Sequence, residues 1–77
     1  MSEESQAILE EVYCFLRAFI GEHGFSPSIR EIARGCYLSA ATSARYLDKL
    51  EARGRITRVP GQARSTRLAD DEGPPEN

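Results

Sequence analysis

The stretch SAATSARYLDKL, residues 39–50, decides how the rest of the chain is read. It opens with a serine suited to capping a helix, continues with two alanines, and then places its leucines at helical spacing. At about 100° per residue, Ala44 and Leu50 share the side of Leu47, whereas Thr42, Arg45 and Lys49 gather about half a turn away. The outer side of this short helix therefore carries small and cationic residues, in a chain whose formal net charge is −2.

That net charge conceals a segregation. Residues 1–22 hold five acids (Glu3, Glu4, Glu10, Glu11, Glu22) and one base (Arg17), a balance of −4. Residues 23–68 hold nine bases and only three acids (Glu31, Asp48, Glu51), a balance of +6, and the stretch from 69 onward returns to −4. The middle of the chain is thus basic enough to meet a polyanion.

With 77 residues the chain makes one small domain. A domain near this size buries only about 60% of its unfolded surface, which argues against a deep small-molecule pocket. A hydrophobic share of 40% and a charged share of 29% fit an ordinary soluble chain. No apolar run reaches the roughly 20 residues that a membrane span needs. The opening MSEESQ is acidic and lacks a secretory signal's basic region, so a cytoplasmic location is expected. Cys14 and Cys36 belong to no CxxC pair and have no histidine at ligand spacing, and they read as two buried, reduced thiols. His23 sits in GEHG, a Gly-flanked turn. Neither a metal site nor a cofactor is expected, and no nucleophile, base and oxyanion donors can be assembled into an enzyme's site.

Working outward from residues 39–50, the segment 6–20 places Ile8, Val12, Leu16, Phe19 and Ile20 at helical spacing. Leu9, Tyr13 and Phe15 widen the stripe, and Ser5 is the expected cap. Gly21 and Gly24 loosen the chain, and Phe25-Ser26-Pro27 makes an extended approach. Ser28-Ile29-Arg30-Glu31 is a capping box that starts a short second helix burying Ile29, Ile32, Ala33 and Cys36. A turn near Tyr37 and Leu38 follows, and the third helix runs from its Ser39 cap to about Arg53, stopping at Gly54. RITRV (55–59) and STRL (65–68) then read as short strands around the turn-forming PGQAR (60–64).

The expected fold class is therefore mainly α with a small β-hairpin, a winged helix-turn-helix of three helices and a two-stranded wing. The expected organisation is an acidic N-terminal extension (1–5), the winged domain (6–68), and a disordered acidic, Pro-rich tail or linker (69–77). Ala33 is small where two helices cross, and Leu38 and Leu47 set the crossing. A recognition helix enters the major groove by its N-terminal end, where Ala40 and Ala41 leave room. Thr42 can touch a thymine methyl, Arg45 can bond guanine through both its donors, and Lys49 lies further back toward phosphate.

GFSPSIREIA (24–33) and LEARGRITRVPGQARSTRL (50–68) resemble the N-terminal DNA-binding domain of LexA, the SOS-response repressor. EVYCFLRAFIGEHG (11–24) is similar to that family's first helix and turn, so the likeness covers roughly residues 6–68. The resemblance implies a transcriptional repressor that binds double-stranded DNA at palindromic operators as a homodimer. It places base reading on Ser39, Ala41, Thr42, Ala44 and Arg45. The wing falls on Pro60 to Arg64, and Ser28, Tyr46, Lys49, Arg53, Gly61 and Arg64 are the positions expected at the DNA backbone.

This chain departs from the family pattern in several places. The turn between the helices is one residue shorter, Tyr37 stands where glycine is usual, and Ser43 stands where a small apolar core residue is common. Arg45 replaces a residue that is frequently acidic or small. The chain ends at Asn77, before the Ser–Lys self-cleaving domain of LexA, so no self-cleavage is expected. A monomer that pairs only on a two-half-site operator is expected in solution. The competing reading is a winged-helix protein-interaction adaptor or anti-repressor, and a basic third helix and wing argue for DNA instead.

Overall fold

In a computed structural model, which describes residues 3–69 with side chains from residue 6, the elements run α1 (Glu3–His23), α2 (Ile29–Cys36), α3 (Ala40–Ala52), β1 (Ile56–Thr57) and β2 (Arg67–Leu68). Fold class and element order are those the sequence predicts. The expected tail from residue 70 onward lies outside the described residues.

The first helix is longer at both ends than its periodicity suggests. It begins by Glu3, so Ser5 lies inside the helix and is not its cap. It also continues through Gly21 to His23, which is therefore helical and not part of a turn. The stop falls at Gly24, whose φ of 81° is open to glycine without a Cβ clash and whose N–H donates to the Ile20 carbonyl at 2.8 Å. The His23 ring packs on Phe19 at 4.2 Å between centroids and faces Phe25 at 5.6 Å, which favours keeping that last turn wound.

Every element contributes to one core. Leu9, Val12, Tyr13 and Leu16 come from α1, Ile32 from α2, Tyr46, Leu47 and Leu50 from α3, and Ile56 and Leu68 from the wing. On α1 the buried set centres on Leu9, Tyr13 and Leu16, and Ile8, Phe15 and Ile20 pack at its margins. Cys14 projects roughly 150° round the helix from that centre and is exposed, so the expectation of two buried thiols fails for it. Cys36 is half-buried against the core, where desolvation, followed by the charge of Glu11, raises its pKa.

The wing is antiparallel, pairing Ile56 with Leu68 and Thr57 with Arg67, with the Ile56 and Leu68 side chains inward. Each strand holds only two residues, fewer than the expected segments 55–59 and 65–68. Proline supplies no N–H for a ladder, and Arg64 adopts a left-handed φ of 57°, so the pairing cannot extend through that region. Ser65 stands in for the missing rung: its hydroxyl accepts from the Val59 N–H at 2.9 Å and lies 3.2 Å from the Val59 carbonyl, to which it donates. At the base of the wing, Arg55 pairs with Glu10 at 2.6 Å and lies 3.9 Å above the Tyr13 ring, fastening the hairpin to α1.

Candidate nucleic-acid interface

The candidate interface is built around α3, and its position depends on how α2 and α3 begin. Ser28 accepts the Glu31 N–H at 3.2 Å while the Glu31 carboxylate accepts the Ser28 N–H at 2.9 Å, the full capping box that the sequence predicts. Ser39 caps α3 by accepting the Thr42 N–H at 3.0 Å, and its hydroxyl donates to the Thr42 Oγ1 at 3.0 Å. The donor of Ser39 is thus used within the cap. Thr42 keeps its own hydroxyl proton for an outside acceptor and its methyl for an apolar one.

The outer side of α3 agrees with the helical reading. Ser39, Ala40, Ala41 and Arg45 are exposed, Thr42 and Ala44 are half-buried, and Arg45 has no hydrogen bond or ion pair among the described residues. Leu47 and Leu50 face inward with Ser43, which is fully buried and whose Oγ has no partner. Tyr46, expected at the DNA backbone, is only 8% exposed and belongs to the core. The reason is positional, since residue 46 lies one step round the helix from Leu47 and three from Ser43. Above its ring stands the Lys49 ammonium, 5.2 Å from the centroid, which leaves Lys49 as the cation at that place.

α2 approaches α1 closely at Gly35, a contact separate from the crossing expected at Ala33. A Cβ at position 35 would fall 2.3 Å from the Phe15 ring, whereas Ala33 is half-buried. Sequence reasoning passed over Gly35, because one glycine near a helix end reads as punctuation. Tyr37 closes α2 in the left-handed region (φ 59°, ψ 45°) and is 94% exposed.

Structure redistributes the positive charge of the wing. At its tip the Gln62 N–H donates to the Val59 carbonyl at 3.1 Å and Gly61 has a φ of 76°, the pattern of a type II turn with Pro60 ahead of the glycine. Gly61 is exposed there. Arg64, expected to reach DNA, instead turns back on α2. Its two terminal nitrogens reach Glu31 at 3.0 and 3.1 Å, Nη1 also donates to the Ser26 carbonyl at 3.1 Å, and the guanidinium lies 5.2 Å from the Phe25 ring centroid. Those bonds, with the Ser28 N–H second to Arg64 as a cause, hold the Glu31 carboxyl below its usual range. Arg58 is shared between Asp48 and Glu51 on α3. Arg53 stays exposed at the end of α3 and donates to Gln6 at 3.3 Å. All three acids of the basic segment are therefore spent on wing arginines, whereas Arg30, Arg34 and Arg45 on α2 and α3 have no hydrogen bond or ion pair among the described residues.

Two crossed helices joined by a capped turn, the second presenting small, hydroxyl and guanidinium groups outward, with a wing folded against the first, define a winged helix-turn-helix domain. The profile of the LexA DNA binding domain matches residues 5–65. The chain belongs to that family, a DNA-binding family and not a catalytic one. It is 41% identical over 64 residues to the LexA repressor of Koribacter versatilis, covering 82% of this chain and 30% of that protein. Against the LexA repressor of Carboxydothermus hydrogenoformans it is 32% identical over 68 residues, 87% of this chain and 33% of the relative. Against that of Clostridium novyi the figures are 38% over 69 residues, 88% and 34%. The chain thus spans about a third of the length of these relatives. No helix among the described residues is long and apolar enough to cross a membrane.

Proposed function

We propose that the chain is a sequence-specific, double-stranded DNA-binding transcriptional regulator, a LexA-like repressor or its DNA-binding part, acting in the cytoplasm at the nucleoid. The observation that carries this is the N-terminal half of α3, a Ser39-capped face of small, largely exposed side chains that carries Arg45, an arginine without a hydrogen bond or ion pair among the described residues. Ala40 and Ala41 let the backbone approach base edges, and Ser39, Ala41, Thr42, Ala44 and Arg45 form the reading set. Arg45 supplies the strongest element, two parallel donors to the O6 and N7 of guanine. Lys49, Arg53 and the exposed Gly61 turn approach the phosphates, and Ser28 does so through the start of α2.

The adaptor reading would place its contacts on the acidic ends of the chain, whereas the exposed arginine of α3 favours DNA. Two copies pairing on a palindromic operator, with a monomer in solution, complete the proposal. Selection from a pool of random duplex DNA at low salt tests it. Enrichment of a two-half-site motif is expected, with cooperative binding lost when one half-site is scrambled. Absence of any enriched motif would reject the reading.

A further inference from the structure

We propose that a row on the outer side of α2, made of Arg30, Arg34 and Tyr37, grips the sugar–phosphate backbone beside the groove that α3 enters, taking the part expected of the wing arginines. The inference rests on the DNA-binding reading and deepens it.

Three observations carry it. The first is the charge distribution: Arg55, Arg58 and Arg64 are each held by a carboxylate, whereas Arg30 and Arg34 are exposed and have no hydrogen bond or ion pair among the described residues. A phosphate gains most from a guanidinium that has no competing anion. The second is alignment. Positions 30, 34 and 37 are spaced four and three residues apart, so their Cα atoms fall within about 60° of one another around the helix, away from Ile32 in the core. In helix-turn-helix domains the helix before the recognition helix crosses the DNA backbone, which brings such a row to phosphates.

The third observation is Tyr37 itself. Its left-handed backbone serves the fold, since it ends α2 with the Tyr37 N–H donating to the Ala33 carbonyl, but its side chain is 94% exposed and adds nothing to the core. Only Leu38 separates it from Ser39, the cap of the reading helix, and its phenol can donate to a phosphate oxygen at the mouth of the groove. An exposed aromatic ring beside the cap of the reading helix is available to a partner outside the chain.

The test uses the full chain and two duplexes, one selected from the random pool and one of unrelated sequence, titrated by fluorescence anisotropy at several salt concentrations. The double variant Arg30→Gln/Arg34→Gln should lower the steepness of log K against log salt by about 0.9 for each arginine, equally on both duplexes. Arg17→Gln, the same charge change on exposed α1 surface, should leave the slope as it was. Tyr37→Asn should weaken both duplexes while melting no lower than the parent, because asparagine tolerates the left-handed conformation. An unaltered slope in the double variant, with a parent that binds steeply, overturns the proposal and leaves DNA binding by α3 standing. A parent that binds neither duplex overturns both.

Discussion

Replacing Ser43 by alanine should make the domain more stable, although it removes a polar atom from a tightly packed helix. Ser43 is fully buried on the inner side of α3, and its Oγ has no hydrogen-bond partner. A buried hydroxyl left unpaired costs about 1–3 kcal/mol, and alanine gains a few tenths of a kcal/mol or so in helix propensity. Loss of one oxygen's packing contacts offsets part of this, since the gap left is smaller than a methyl group. The net expectation is a gain of about 1–2 kcal/mol. For a domain of this size each kcal/mol moves Tm by roughly 4–8 °C, so thermal unfolding followed by circular dichroism should resolve the shift easily. Because residue 43 faces away from the reading side, preference among DNA sites should not change. A fall in Tm would refute the reasoning, since it would mean that the hydroxyl makes a hydrogen bond in solution that the buried position conceals.

Other outcomes follow from the same packing and charge arrangement. Gly35→Ala should destabilise the fold by about 1–2 kcal/mol in urea titration, because crowding against Phe15 outweighs the roughly 1 kcal/mol that alanine gains in a helix. Glu31 has its folded-state pKa lowered by Arg64 and the Ser28 N–H, so its contribution is complete above 4.5 and lost as pH falls through the lower folded value. The Tm difference between the parent and Glu31→Gln should accordingly shrink on acidification below pH 4.5, and a difference that grows would contradict the assignment. Under native conditions an aromatic disulfide reagent should label exposed Cys14 quickly and Cys36 slowly, given the raised pKa of the latter.

Much of this architecture was legible in the chain because its signals are local. The Ser28–Glu31 box and the Ser39 cap each lie within four residues, and Pro60-Gly61 specifies its own turn. The stripes on α1 and α3 follow from helical periodicity alone, and the face of Thr42, Arg45 and Lys49 emerges where it was expected. Failures occurred where a partner lies far along the chain. Arg64 reads from sequence as a DNA contact because nothing near it reveals Glu31, 33 residues away, or the Ser26 carbonyl, 38 residues away. The role of Gly35 depends on Phe15 from another helix, and that of Ser65 on a hydrogen bond across the wing. Tyr46 is ambiguous in sequence because tyrosine suits both a core and a phosphate contact, and only the packing of α3 on α1 and α2 decides between them.

The central claim is that Arg45 reads a base from the outer side of α3. Comparing Arg45→Ala with the parent on the selected duplex and on a duplex of unrelated sequence, at one salt concentration, tests it most directly. The account predicts a loss of about 1–3 kcal/mol on the selected site and a much smaller loss on the unrelated one, with relaxed preference at a single base pair. Equal losses on both duplexes would show that Arg45 meets only phosphate, and would contradict the assignment of α3 as the element that reads sequence.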